Sequence, residues 1–316
     1  MKGFVILPDA TCELNEEIRK EIGMLDYIPG HVSISDGRDL RTKLDWSEIS
    51  REDYYKALSN KKLKVTTAPP SPAEFYDAFE KYAKEDIGVI SISLSSKISA
   101  TYNFAKNAAE EVKSNYPNAK IYCLDSYRMS GGIALLTLYA FMMKNEGKSF
   151  DEIVEWLESN KNRVHQMGPI DDLIFIARRG RISMGKAIFG SFAGVKPMGD
   201  CNAEGYTTVL TKAKGINKAL DITVKYVEAT ATDIENQSII IVHSDRELYA
   251  NNLKEKLQAL NPKKIYLTDV FAACGGNIGP GMVGVYYFGE PISEDLSREK
   301  ETISSKLLPS FFIIKA

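Results

Sequence analysis

The sequence predicts an α/β protein with a mostly parallel sheet and two domains. Three observations lead there. Short β-rich apolar runs alternate with longer amphipathic ones through the first half, the pattern of βαβ units. Helix-start signals follow those runs. The chain, at 316 residues, exceeds what one core of typical size organises. The periodicity loosens through Met167-Gly168-Pro169, which suggests domains at 1–163 and 164–289 and a tail at 290–316.

Taken in order, Phe4-Val5-Ile6-Leu7 reads as a buried strand closed by Pro8-Asp9. Ser71-Pro72-Ala73-Glu74 combines an N-cap serine, proline at the first helical position and glutamate three residues after the cap. It predicts a helix from 72 to about 84. Residues 89–94 and 120–124 are further buried strands, with an Ala-rich helix between them starting near Ser99. Residues 133–143 are apolar almost all round and predict a buried helix, either core or the wall of a ligand site. Ser149 with Glu152 repeats the capping signal for a helix reaching about 160. The second half predicts helices over 171–177, 216–229 and 246–260, a Gly-rich stretch at 185–194, and strands over 239–242, 265–270 and 283–288. Beyond Gly289 the chain turns polar before a final apolar segment from Leu307, for which the sequence suggests no role.

Forty basic against 42 acidic residues give a formal charge of −2, which argues against nucleic acid or an anionic membrane surface as the partner. Cys12, Cys123, Cys201 and Cys274 are scattered, without a CxxC pair or a clustered disulfide framework, and fit a reducing cytoplasm. No apolar run approaches the roughly 20 residues needed to cross a bilayer, and the N-terminal apolar stretch is too short for a secretory signal, so a soluble cytoplasmic protein is expected. No His/Cys/Asp/Glu grouping has metal-ligand spacing, so no metal is expected.

The segment Ile90-Ser91-Ile92-Ser93-Leu94-Ser95-Ser96-Lys97-Ile98-Ser99-Ala100-Thr101-Tyr102 runs from a strand through a hydroxyl-rich loop into a helix. Ligands of open parallel sheets bind beyond the carboxyl ends of strands, where a helix N-terminus offers free N–H groups. Ser95 and Ser96 are therefore either anion ligands or plain helix caps, and the local sequence leaves both open. A serine hydrolase using Ser95 or Ser96 with His243 is the rival, but no Gly-x-Ser-x-Gly elbow surrounds them. Gly279-Pro280-Gly281-Met282-Val283-Gly284 matches the dinucleotide fingerprint literally. However, it holds a proline and leads into a strand, so residues 275–281 read instead as a tight passage bringing backbone close to a ligand, or as a simple turn. Arg178-Arg179-Gly180-Arg181 is a basic cluster, too small for a nucleic-acid footprint.

These segments, in this order, resemble the DegV family. Thr66-Thr67-Ala68-Pro69-Pro70-Ser71-Pro72 is similar to its Thr-Ser-Gln-Pro-Ser motif, with Thr67 on the threonine. The loop from Ser95 to Tyr102 is similar to its Ser-Ser-Gly/Lys-Leu-Ser-Gly-Thr-Tyr. Asp9 falls on the aspartate of an N-terminal Thr-Asp-Ser, and Leu124-Asp125-Ser126 on an Ile-Asp-Ser strand end. Arg179-Gly180-Arg181-Ile182-Ser183 resembles Gly-Gly-Arg-Ile-Ser, Val195-Lys196-Pro197 resembles Ile-Lys-Pro, and Gly279-Pro280-Gly281 matches Gly-Pro-Gly. The likeness spans about residues 4–289.

The resemblance implies two dissimilar α/β domains, the first three-layered around a mostly parallel sheet and the second two-layered with a mixed sheet. It implies one long-chain fatty acid buried between them, with no other cofactor and no catalytic residue of the chain's own. The carboxylate would be held by Thr67 and Ser96, with Ser95 and Asn277 beside them. Arg181 and Lys214 would serve the head group or partner docking, while Gly276, Gly279 and Gly281 would permit close approach. The implied partner is the separate ATP-binding subunit of a bacterial fatty-acid kinase; a lipid sensor without a kinase is the alternative. Residues 133–143 and 187–195 are the expected cavity walls. The departures from the family pattern are Asn277 for histidine, Ala68-Pro69 for Ser-Gln, Ala100 for glycine, Arg179 for glycine and Lys214 for arginine.

Overall fold

The computed structural model describes residues 1–182 and 194–307. In chain order the first half runs β1 (Phe4–Pro8), α1 (Glu16–Ile22), β2 (His31–Ile34), β3 (Arg38–Arg41), α2 (Arg51–Ser59), β4 (Val65–Ala68), α3 (Pro72–Ala83), β5 (Gly88–Ser93), α4 (Thr101–Asn115), β6 (Ile121–Asp125), α5 (Gly131–Asn145) and α6 (Phe150–Asn160). The second runs β7 (Val164–Met167), α7 (Leu173–Arg178), β8 (Val195–Cys201), β9 (Thr207–Lys214), α8 (Ile216–Thr230), β10 (Ser238–His243), α9 (Glu247–Leu257), β11 (Lys264–Asp269), α10 (Ala272–Ile278), β12 (Val283–Phe288) and α11 (Ser297–Thr302).

Strands β1, β5 and β6 form a parallel sheet in the order β1-β5-β6. A second sheet, β11-β10-β12-β7, is mixed: β10 and β11 run parallel, while β12 is antiparallel to both β10 and β7. Helices α3 and α4 cover the outer face of the parallel sheet through Phe75, Phe79, Ala105 and Val112. Helices α8 and α9 cover the outer face of the mixed sheet through Leu220, Val227 and Leu253. Between the sheets lies α5, whose Ile133, Leu135, Leu136 and Leu138 are fully buried in one core with Ile90, Ile92 and Leu124 of one sheet and Ile240 and Val242 of the other. Its apolar circumference has that reason, since a helix with a sheet on each side has little face left for water.

Local signals fix several boundaries. Ser71 and Glu74 form a reciprocal capping box at the start of α3, as do Ser149 and Glu152 at α6. Elsewhere the structure corrects the sequence reading. Helix α4 begins at Thr101, with Ala100 at the N-cap and no side-chain cap bond, so neither Ser95 nor Ser96 caps it. The short antiparallel sheet β3-β2-β4 had no clear signal, because four-residue strands carry too few alternations to read. Of residues 275–281, expected as a tight passage or a turn, 275–278 belong to helix α10 and the helix ends at Gly279. The expected Gly-rich stretch at 185–194 and cavity wall at 187–195 lie outside the described residues except for Gly194 and Val195.

The antiparallel sheet and α2 join the two halves. Tyr54 and Tyr55 are buried and donate their hydroxyls to the carbonyls of Ala272 (2.9 Å) and Val270 (2.6 Å). In the tail, Leu296 is buried and Ile303 packs against the core under the mixed sheet.

Candidate functional site

A cavity of about 140 Å³ opens between the halves, on the order of ten times the room that one water needs. Its polar side is built on β4 and α10. Gly276 lets these elements meet, because a Cβ there would stand 2.6 Å from Thr67 Cγ2. The approach brings Asn277 Nδ2 to 2.9 Å from Thr67 Oγ1, to which it donates. With that lone pair engaged, the Thr67 O–H is directed to donate elsewhere, and both residues line the cavity. Arg181 also lines it, and with Asp9 it makes up the charged lining among the described residues.

The serine loop is built differently, with the Ser95, Ser99 and Thr101 hydroxyls and the Ser96 N–H tied up internally. Asp9 Oδ2 accepts the Leu94 N–H at 3.0 Å, while Oδ1 accepts the Thr11 N–H at 2.7 Å and also the Thr11 hydroxyl. Burial raises the Asp9 carboxyl pKa, and those hydrogen bonds oppose the rise. Asp125 Oδ1 accepts the N–H groups of Ser96 (3.1 Å) and Tyr127 (3.3 Å). Ser95 is fully buried; its hydroxyl donates to the Gly205 carbonyl at 3.2 Å and accepts the Lys97 N–H at 3.3 Å. Neither Ser95 nor Ser96 is among the lining residues, although Leu94, Ile98, Ser99 and Thr101 of the same loop are. The Ser99 and Thr101 hydroxyls bond each other at 2.7 Å.

The apolar wall comes largely from β7, β8 and β9, which the sequence does not mark as strands, together with Met282 and Val283 at the start of the expected strand 283–288. Met167, Met198, Met282 and Val283 line it, joined by the isolated bridges Pro169↔Met198 and Ile170↔Met282. Leu173, Ile176 and Val209 add to it. The expectation that residues 133–143 form a wall is overturned: α5 is packed on both sides as core and contributes no lining residue. Gly276, Gly279 and Gly281 do allow close approaches, but to protein. A Cβ would meet Thr67, the Phe175 ring (2.7 Å) and the Asp171 side chain (2.4 Å) respectively, and Gly279 and Gly281 carry φ of +76° and +100°. None of the three lines the cavity.

Lys214 ends β9 on the exposed surface. His243 is buried outside the cavity lining, with Nε2 3.5 Å from Asp269 Oδ1 and Nδ1 accepting the Arg246 N–H at 3.3 Å. Burial lowers its pKa. Since Ser95 and His243 are both bonded elsewhere, the structure assembles no serine–histidine pair from them. Among the described residues no helix is long and apolar enough to cross a membrane, and no acidic, histidine or cysteine group could hold a metal.

Fold and site together define a class: an α/β protein with a parallel and a mixed sheet and a largely apolar cavity that also carries hydroxyls on its lining. The chain belongs to the DegV family, whose model, described as an uncharacterised protein family, matches residues 3–290. A DegV domain-containing protein of Clostridium perfringens is 33% identical over 291 residues, covering 92% of this chain and 99% of that protein. The fatty-acid-binding DegV family protein of Thermus thermophilus has a similar structure, with a TM-score of 0.80 and 25% identity over 92% of this chain and 100% of that one. The fatty acid kinase B3 protein of Streptococcus pneumoniae, solved with linoleic acid, shares the fold, with a TM-score of 0.77 and 17% identity over 92% of this chain and 100% of that one.

Proposed function

We propose that this protein binds one long-chain fatty acid between its two halves and presents the carboxylate to a separate ATP-binding kinase subunit for acyl-phosphate formation. The observation that carries the reading is the cavity itself, with a methionine-rich apolar wall and the Thr67–Asn277 pair and Arg181 on its lining. Burying an acyl chain there stabilises the complex by roughly 0.8 kcal/mol per CH₂, while the Thr67 O–H and the Arg181 guanidinium replace water around the carboxylate. Thr67 carries the larger share of the hydroxyl contacts; Ser96 contributes from the loop between Leu94 and Ile98. The fatty acid bound by the Thermus thermophilus relative supports this ligand class. The kinase partner rests on the order of family motifs along the chain, and exposed Lys214 is the docking candidate with Arg181. The protein is on this reading a carrier with no cofactor of its own.

The test is mass spectrometry of ligand extracted from the purified protein and after incubation with palmitate. A long-chain fatty acid at one per chain is the expected result, and no acyl ligand under either condition refutes the reading. Adding the kinase subunit and ATP then separates a carrier, which yields acyl-phosphate, from a lipid sensor, which does not.

A further inference from the structure

One polar group in the apolar wall is not explained by a carboxylate site. Gln166 sits on β7 opposite Tyr286 of β12, and both line the cavity. Directly opposed residues of an antiparallel pair share a face, so the carboxamide and the Tyr286 ring stand side by side. The Gln166 backbone is fixed by its N–H bond to Asp200 Oδ1 at 3.0 Å. Its side-chain Oε1 is buried and has no hydrogen-bond partner.

Asp200 also ties Gln166 to the hairpin next to a second incompletely matched group. Asp200 pairs with Thr208 in the β8–β9 register and Cys201 with Thr207. Thr207 lines the cavity too, and its hydroxyl has sulfur partners, the Met129 thioether at 3.5 Å and the Cys201 thiol. A thioether is a weak acceptor. The wall therefore offers an acceptor lacking a donor and a donor with a poor acceptor, among methionines and valines. A saturated acyl chain satisfies neither. A ligand hydroxyl matches either, since it donates one hydrogen bond and accepts others, and it serves Gln166 whichever way the amide is turned.

We infer that the cavity selects long-chain fatty acids carrying a hydroxyl along the chain, with Gln166 as the specificity-determining residue and Thr207 as its companion. The inference rests on the fatty-acid reading above and deepens it by naming the ligand class. The experiment measures dissociation constants for stearate and for a series of hydroxystearates substituted at successive carbons, using the natural protein, Gln166→Leu and Gln166→Met. For at least one positional isomer, the preference over stearate should fall about three- to tenfold in both variants, the effect of one net hydrogen bond. Stearate itself should bind each variant at least as tightly, which also reports that the variants fold. If stearate binds but neither variant changes any hydroxystearate preference, Gln166 is served by trapped water and the inference is overturned while the fatty-acid reading stands. If no fatty acid binds the natural protein, both fall.

Discussion

Two of the hydroxyl-bearing segments at the cavity use their polar groups in opposite ways. In the Ser95–Ser96 loop most of the polar atoms go to the protein, the Ser96 hydroxyl excepted: Asp125 takes the Ser96 N–H, Ser95 spans Gly205 and Lys97, and Asp9 holds Leu94. At Thr67, Asn277 engages the oxygen and leaves the proton available to a ligand. A loop rich in hydroxyls is thus chiefly a scaffold, while a single threonine on a short strand is the better-placed donor. Hydroxyl density is a poor guide to binding because a buried hydroxyl takes the nearest partner, and most side-chain partners are backbone.

The largest expected effect tests the scaffold. Asp125→Ala leaves the Ser96 and Tyr127 N–H groups without their acceptor, and the loss should be roughly 2–6 kcal/mol, at about 1–3 kcal/mol for each orphaned donor. Thermal or denaturant unfolding measures it, and unaltered stability would mean that the loop does not depend on Asp125. Next comes Thr67→Val, which keeps shape and removes the donor. Fatty-acid affinity should fall at least tenfold, from a charge-assisted bond worth about 1.5–3 kcal/mol, with little change in unfolding midpoint.

Asn277→His should have a smaller effect. An imidazole beside the carboxylate has its pKa raised in the complex, so the added affinity, about 1 kcal/mol, is present toward pH 6 and lost as pH rises toward 8. The natural asparagine should give a flatter profile, and isothermal titration at the two pH values compares them. Ser96→Ala is expected to change affinity least, by about threefold or less, a fraction of one neutral hydrogen bond. If Ser96→Ala matched Thr67→Val, the contrast between scaffold and donor would be broken.

How much of this was readable without the structure depended on the range of the interaction. Helices α3 and α6 announced themselves because a capping box closes within four residues. The buried strands β1, β5, β6, β10 and β12 were readable as short apolar runs bounded by turns. Strand β4 was not, and Thr67 was found only through family likeness, since nothing local distinguishes it from its neighbour Thr66. Residues 133–143 could be read as core or wall, and the choice fell to the two sheets that enclose α5. Gln166 carried no signal at all, because an unpartnered amide becomes visible only once its surroundings are known.

The sequence by itself determined the α/β class, the order of the principal elements, the family, and the residue types available for an anion. Those follow from local hydrogen bonding and from hydrophobic periodicity, which act over a few residues. Only the tertiary structure decided that the Thr67 hydroxyl faces the cavity with its proton free, because Thr67 and Asn277 are 210 residues apart in the chain and meet where Gly276 removes the Cβ that would hold β4 and α10 apart. The direction of a hydroxyl proton depends on the partner beside it, and that partner is supplied by packing between distant segments.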